Sequence, residues 1–155
     1  MDSFDDLPDR LARIPERISR AVATWSKAEL QAPSVGGNWS AATILAHLRA
    51  SDDILTPSIY AMLVRDNPPL PAYDDRRWAE VAGYERADFR ASLTAFTLRR
   101  AELVATLRRL APADWQRTGL HEAHGPISLL QVVTHLVEHE EEHCRQLEAI
   151  KAAFV

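Results

Sequence analysis

Apolar residues recur at intervals of three or four in four stretches of the chain, the period of a helix with one buried face. Leu11, Ile14, Ile18, Val22 and Trp25 predict a first helix from about Leu7 to Leu30, stopped by Pro33, with Pro15 a point of division near its start. Pro33 to Asn38 carries two glycines and reads as a loop, after which Ser40 caps a second helix. That helix places Ile44, Leu45, Leu48, Leu55, Ile59 and Met62 on one face and ends near Asn67-Pro68-Pro69. Its apolar period continues in register past Pro57, so this proline predicts a kink and not an end. A long connection with one helical turn around Trp78 follows. The third helix, from about Arg86 to Leu110, turns Phe89, Leu93, Phe96, Leu103 and Leu107 inward. Thr118 to Pro126 reads as a second loop, and Ser128 with Gln131 forms a capping box for a fourth helix reaching Phe154. No strand-like alternation interrupts this pattern. The expected fold is all-α: a four-helix bundle with a long crossover connection between the second and third helices, in one domain spanning residues 1–155.

Composition narrows the function classes. With 155 residues the chain can bury about 70% of its unfolded surface without a disulfide or structural metal, so any metal is expected to serve function. Its 18 basic and 22 acidic residues give a net charge of −4 with no basic cluster, which argues against nucleic-acid binding. A single cysteine, Cys144, fits a reducing compartment, and no apolar run approaches a membrane span. The acidic start is unlike a signal peptide, and the expected location is cytoplasmic.

The informative chemistry is in the histidines. His135, His139 and His143 stand four apart on the fourth helix. Neighbours in such a series lie about 5–6 Å apart and can share one metal ion, whereas His135 and His143 are about 12 Å apart. Relative to the centre of the apolar stripe, His143 is displaced by about 50°, His139 by about 90° and His135 by about 130°. The pair His139/His143 therefore faces the interior or its edge, and His135 is given a subsidiary role. His47, within Ile44-Leu45-Ala46-His47-Leu48, is the candidate third ligand. The bland alternatives are a surface histidine pair and a hydrogen-bonded core histidine; the concentration of imidazoles on inner faces favours metal. His121 and His124, in the Gly/Pro loop, are read as ordinary loop residues.

Two carboxylates accompany the proposed ligands. Glu140 falls within about 10–20° of the stripe's centre, and Asp52 lies one turn beyond His47. Each can orient a ligand, act as general acid or base, or pair with an arginine of the third helix. Cys144 falls on the apolar stripe and reads as core filler. Trp39, Tyr60, Tyr73 and Trp78 are read as packing residues or pocket walls.

These residues carry a family resemblance. Asn38-Trp39-Ser40 followed by Ile44-Leu45-Ala46-His47-Leu48, and the segment His139 to Gln146, resemble motifs of the DinB/YfiT-like superfamily. Asn67-Pro68-Pro69 through Trp78, Asp114-Trp115 and Gly125-Pro126-Ile127-Ser128 resemble one branch of it. The terminal segment departs from a common His-Arg-Gly-Gln ending in having Cys144 and Arg145 after His143. The resemblance implies a bundle in which His47, His139 and His143 hold a divalent ion such as zinc or nickel. It also implies a possible low-molecular-weight thiol cosubstrate and a homodimer. The expected function is a metal-dependent transferase or hydrolase acting on a small molecule, with Glu140 and Asp52 as candidate catalytic groups. The alternatives are a non-catalytic metal-binding or sensing bundle and a metal-free interaction protein.

Overall fold

The computed structural model describes residues 4–34 and 38–153, the side chains only as far as residue 151; the middle of the first loop and the expected helix end at Phe154 fall outside them. Four long helices dominate: α1 (Leu7–Ala21), α3 (Ala41–Val64), α5 (Phe89–Leu107) and α6 (Leu129–Ala153). The short helices α2 (Lys27–Gln31) and α4 (Asp75–Ala82) lie in the connections. α1 packs on α5 and α6, and α3 packs on the same two helices, so α1 and α3 stand at opposite corners of the bundle. No helix among the described residues is long and apolar enough to cross a membrane.

Two local features differ from the sequence reading. The first predicted helix is broken after Ala21 and not near Pro15, which sits inside α1. The cause is Ser26. Its side chain accepts from the Glu29 amide while the Glu29 carboxylate accepts from the Ser26 amide, and this reciprocal box starts α2 as a separate helix. Secondly, the expected loop Thr118 to Pro126 is a β-hairpin. Strand β2 (Thr118–His121) pairs antiparallel with β3 (Gly125–Ser128), and β1 (Pro69–Leu70) adds a parallel edge. Strands of two to four residues are too short to show an alternation, and their glycines and prolines read as turn signals. Gly125 supplies the positive φ of 70° that closes the hairpin.

Helix boundaries follow capping chemistry elsewhere. Ser40 accepts from the Thr43 amide at the start of α3, which runs unbroken through Pro57. Asp74 caps α4 and Asp88 caps α5, the latter three residues beyond the expected start at Arg86. Ser128 and Gln131 form the anticipated box before α6.

The core has two apolar regions. One gathers Ile14, Ile18, Ile44, Leu48, Phe96 and Leu147; the other gathers Leu11, Ile59, Met62, Leu103, Trp115 and Leu136. In α3, α5 and α6 the changeover between them falls at Asp52, Arg100 and Glu140, all buried. A charged layer thus crosses the middle of an otherwise apolar interior. Cys144 packs in the first region, where burial pushes its thiol pKa up to about 12 and leaves it a neutral filler, as expected.

Candidate metal centre

His47 comes from the second turn of α3, and His139 and His143 from adjacent turns of the neighbouring α6. Both helices turn these positions toward their shared seam. His47 Nε2 lies 2.8 Å from His139 Nε2, which lies 3.1 Å from His143 Nε2. The three rings meet edge to face, with centroids 4.6–4.9 Å apart. His135 is outside this group. It is exposed, and its ring lies 6.1 Å from that of His139. His121 and His124 stack on one another at the end of the hairpin, and neither belongs to the cluster.

The cluster fits a cation better than it fits hydrogen bonds. His139 Nε2 stands at both short contacts but has a single proton or a single lone pair to offer, so it cannot serve two partners well. Three nitrogens at about 2.0–2.1 Å from one tetrahedral ion would be separated by about 3.3 Å, close to the spacings found. Their ligand atoms all fall within 4.8 Å of one another. Protonation is also disfavoured. Burial is the main cause lowering the pKa of all three rings, with mutual repulsion adding at His47 and His139, and His139 falls to about 3. Neutral imidazole is the form that binds metal.

Outer contacts orient two of the rings. His143 Nδ1 lies 2.9 Å from Gln146 Oε1, so Nδ1–H donates to the amide oxygen and the Nε2 lone pair faces the cluster. His47 Nδ1 is 3.4 Å from the carboxylate of Asp75, longer than a hydrogen bond, and the charge there raises the ring's pKa against the dominant effect of burial. His139 Nδ1 is buried without a hydrogen-bond partner among the described residues, which leaves this ring held by packing and by the other two imidazoles. Trp39 completes the wall: its ring stacks on His143 at 5.9 Å and meets His47 edge-on at 5.1 Å.

The imidazoles open on a cavity of about 800 Å³, bounded also by Asn38, Trp39, Ile44, Asp75 and Arg76. Glu140 and Asp52, the two carboxylates singled out from the sequence, do not line it. Both turn to the buried guanidinium of Arg100, and Asp52 also pairs with Arg99 at 2.7 Å. Of their three sequence readings, the geometry matches the pairing with arginine. Burial nevertheless pushes the Glu140 pKa up to about 7, against the opposing pull of Arg100. The carboxylate that does line the cavity is Asp75, which the sequence reading missed because it lies in the connection after α3. Its signal was the Asp74 cap at the start of α4, which seats that helix on α3.

The chain is a helical bundle with three convergent imidazoles at the wall of a cavity, and comparison with known proteins gives its family. Residues 10–147 match the sequence profile of the DinB superfamily, and the chain belongs to that superfamily. A protein of Oceanobacillus iheyensis bearing the name "Putative metal-dependent hydrolase OB0782" is 25% identical over 75% of this chain and 67% of its own length. YfiT of Bacillus subtilis, also named a "Putative metal-dependent hydrolase", is 25% identical over 72% of this chain; the match spans 62% of YfiT, less than two thirds. The solved structure of Bacillus subtilis YfiT, described as having an unusual four-helix bundle topology, superposes with a TM-score of 0.88. That superposition covers 97% of this chain and 87% of the other, at 22% identity. A mycothiol-dependent maleylpyruvate isomerase superposes with a TM-score of 0.72 over 95% of this chain and 63% of its own, at 19% identity. At these identities the structural matches establish the fold, and the chain shares the four-helix bundle of YfiT.

Proposed function

We propose that this protein is a metal-dependent enzyme acting on a small molecule, with His47, His139 and His143 holding a divalent ion of the zinc or nickel type. The observation that carries this reading is the convergence of three neutral Nε2 atoms from two helices at the wall of one cavity. The names of the metal-dependent relatives support it. Three protein ligands leave a coordination position for an exchangeable group, the pattern of catalytic and not of closed structural sites. When bound, such an ion supplies Lewis acidity, making water or a thiol a nucleophile at neutral pH.

The chain's own residues supply the rest. Gln146 fixes the tautomer of His143, while Trp39 packs against the rings of His47 and His143. Asp75, half-buried and facing the cavity, is the group placed to accept a proton from the nucleophile or a substrate. Glu140 and Asp52 act at a distance from the cavity, holding α3, α5 and α6 in register through Arg100. Hydrolysis and thiol-dependent transfer both fit this arrangement. The mycothiol dependence named for the isomerase with this fold favours testing a thiol first.

Cobalt(II)-substituted protein tests the reading. One equivalent of cobalt should give a visible spectrum that shifts when a simple thiol or azide is added, because a ligand enters the open position. A cobalt spectrum indifferent to both would mean a closed site and would favour a sensing or structural role instead.

A further inference from the structure

Among the described residues that line the cavity, one carries a positive charge. Arg76, in the first turn of α4, lines the cavity beside Asp75, and its guanidinium lies over the Trp39 ring at 4.9 Å from the centroid. The same Trp39 ring stacks on His143 at 5.9 Å. These two spacings limit the guanidinium to within about 11 Å of the imidazole cluster. Arg76 is exposed and makes no ion pair or hydrogen bond among the described residues, whereas its neighbour Arg77 is tied to Glu80 at 3.0 Å. Stacking on an aromatic face holds the guanidinium plane while leaving its N–H fork free for a planar anion.

Charge counting points the same way. Three neutral imidazoles do not offset a divalent ion, and Asp75 is the only carboxylate among the described residues that line the cavity. With the ion bound, Asp75 neutralises half of its charge and Arg76 restores that half. The chain as a whole is acidic at −4, yet this cavity would be a local positive site. The lining also includes the apolar side chains of Ile44, Ala149 and Ile150. A ligand with an aliphatic middle and charges at its ends suits such a surface.

We propose that Arg76 is a specificity-determining residue that binds a carboxylate of the substrate, so that the enzyme acts on small organic acids whose other end approaches the metal. This rests on the metal-site reading above. The fork takes the carboxylate bidentately while Trp39 supports its far side, and the apolar side chains of the lining accommodate the methylene chain between the two ends.

The test uses zinc-loaded full-length protein and calorimetric titration with 4-mercaptobutyrate and 6-mercaptohexanoate, each compared with its primary amide. Comparing acid with amide at fixed pH cancels the proton released when the thiol binds as thiolate. For at least one chain length the acid should bind roughly tenfold more tightly than the amide. In Arg76→Gln that preference should collapse to less than about twofold; Arg77→Gln, with the same loss of charge outside the cavity, should keep it. Equal binding of acid and amide by the wild type, or a preference that survives Arg76→Gln, would overturn the proposal while leaving the metal site standing. Zinc measured in every sample separates the other failure: less than one ion per chain, before or after thiol, defeats the metal reading and this proposal together.

Discussion

Replacing His139 with alanine is expected to lower zinc affinity by more than about 100-fold, beyond the 10–100-fold typical of losing an outer contact to a ligand. His139 is the vertex of the cluster, 2.8 Å from one imidazole and 3.1 Å from the other, so no two-histidine remnant keeps the same centre. Retained zinc after dialysis against a competing chelator measures the effect. His135→Ala is the matched control, removing an exposed ring from the same helix, and should retain zinc within about twofold of the wild type. If His135→Ala lost zinc as completely as His139→Ala, the choice of ligand pair would be wrong.

The second large effect is on stability. Arg100→Leu removes the cation from a buried layer in which Glu140 has no other positive partner among the described residues, while Asp52 keeps Arg99. Breaking a buried charge cluster from one side costs about 3–5 kcal/mol, which for a domain of this size lowers the melting temperature by roughly 10 °C. The pH dependence has a definite sign. Glu140 already has a folded-state pKa raised to about 7, above its unfolded value, and loss of Arg100 raises it further. A raised carboxyl pKa contributes stability that is complete below the unfolded value and is lost as pH rises through the folded one. The deficit of Arg100→Leu should therefore be largest above pH 7 and shrink toward pH 5, as urea denaturation across that range will show. Replacing Arg100, Asp52 and Glu140 together by apolar residues of similar volume should recover most of the loss.

The two predictions separate functions that share one stretch of α6. His139 and Glu140 are consecutive, yet about 100° of helical turn sends one to the cavity and the other to the core. The wheel position of Glu140, almost central in the apolar stripe, announced its complete burial. Pairing with an arginine of the third helix was among its three readings; that the arginine is Arg100 of α5 could not be read, because an arginine within an apolar period gives no sign of its partner. The His139/His143 choice was legible because angular displacement alone ranks three histidines on one helix. Joining them to His47 required a tertiary contact, and the clue was an imidazole set within an otherwise apolar run.

What the sequence did not disclose lies in the connections. Asp75, Arg76 and the hairpin at 118–128 belong to segments whose position depends on caps and short pairings, with no long periodic pattern to reveal it. The broken first helix shows a readable signal passed over. Ser26-Lys27-Ala28-Glu29 has the spacing of a capping box, but the apolar period on either side suggested continuity. The long helices, by contrast, emerged where apolar spacing and end signals agreed.

The central claim is that imidazoles from α3 and α6 share one ion. The most direct measurement is an anomalous difference map from a crystal of zinc-loaded protein, collected at the zinc absorption edge. The account predicts one dominant peak per chain, about 2.0–2.1 Å from Nε2 of His47, His139 and His143, with a non-protein ligand completing the coordination. A peak at other residues, or an ion bound by only one of the two helices, would contradict it.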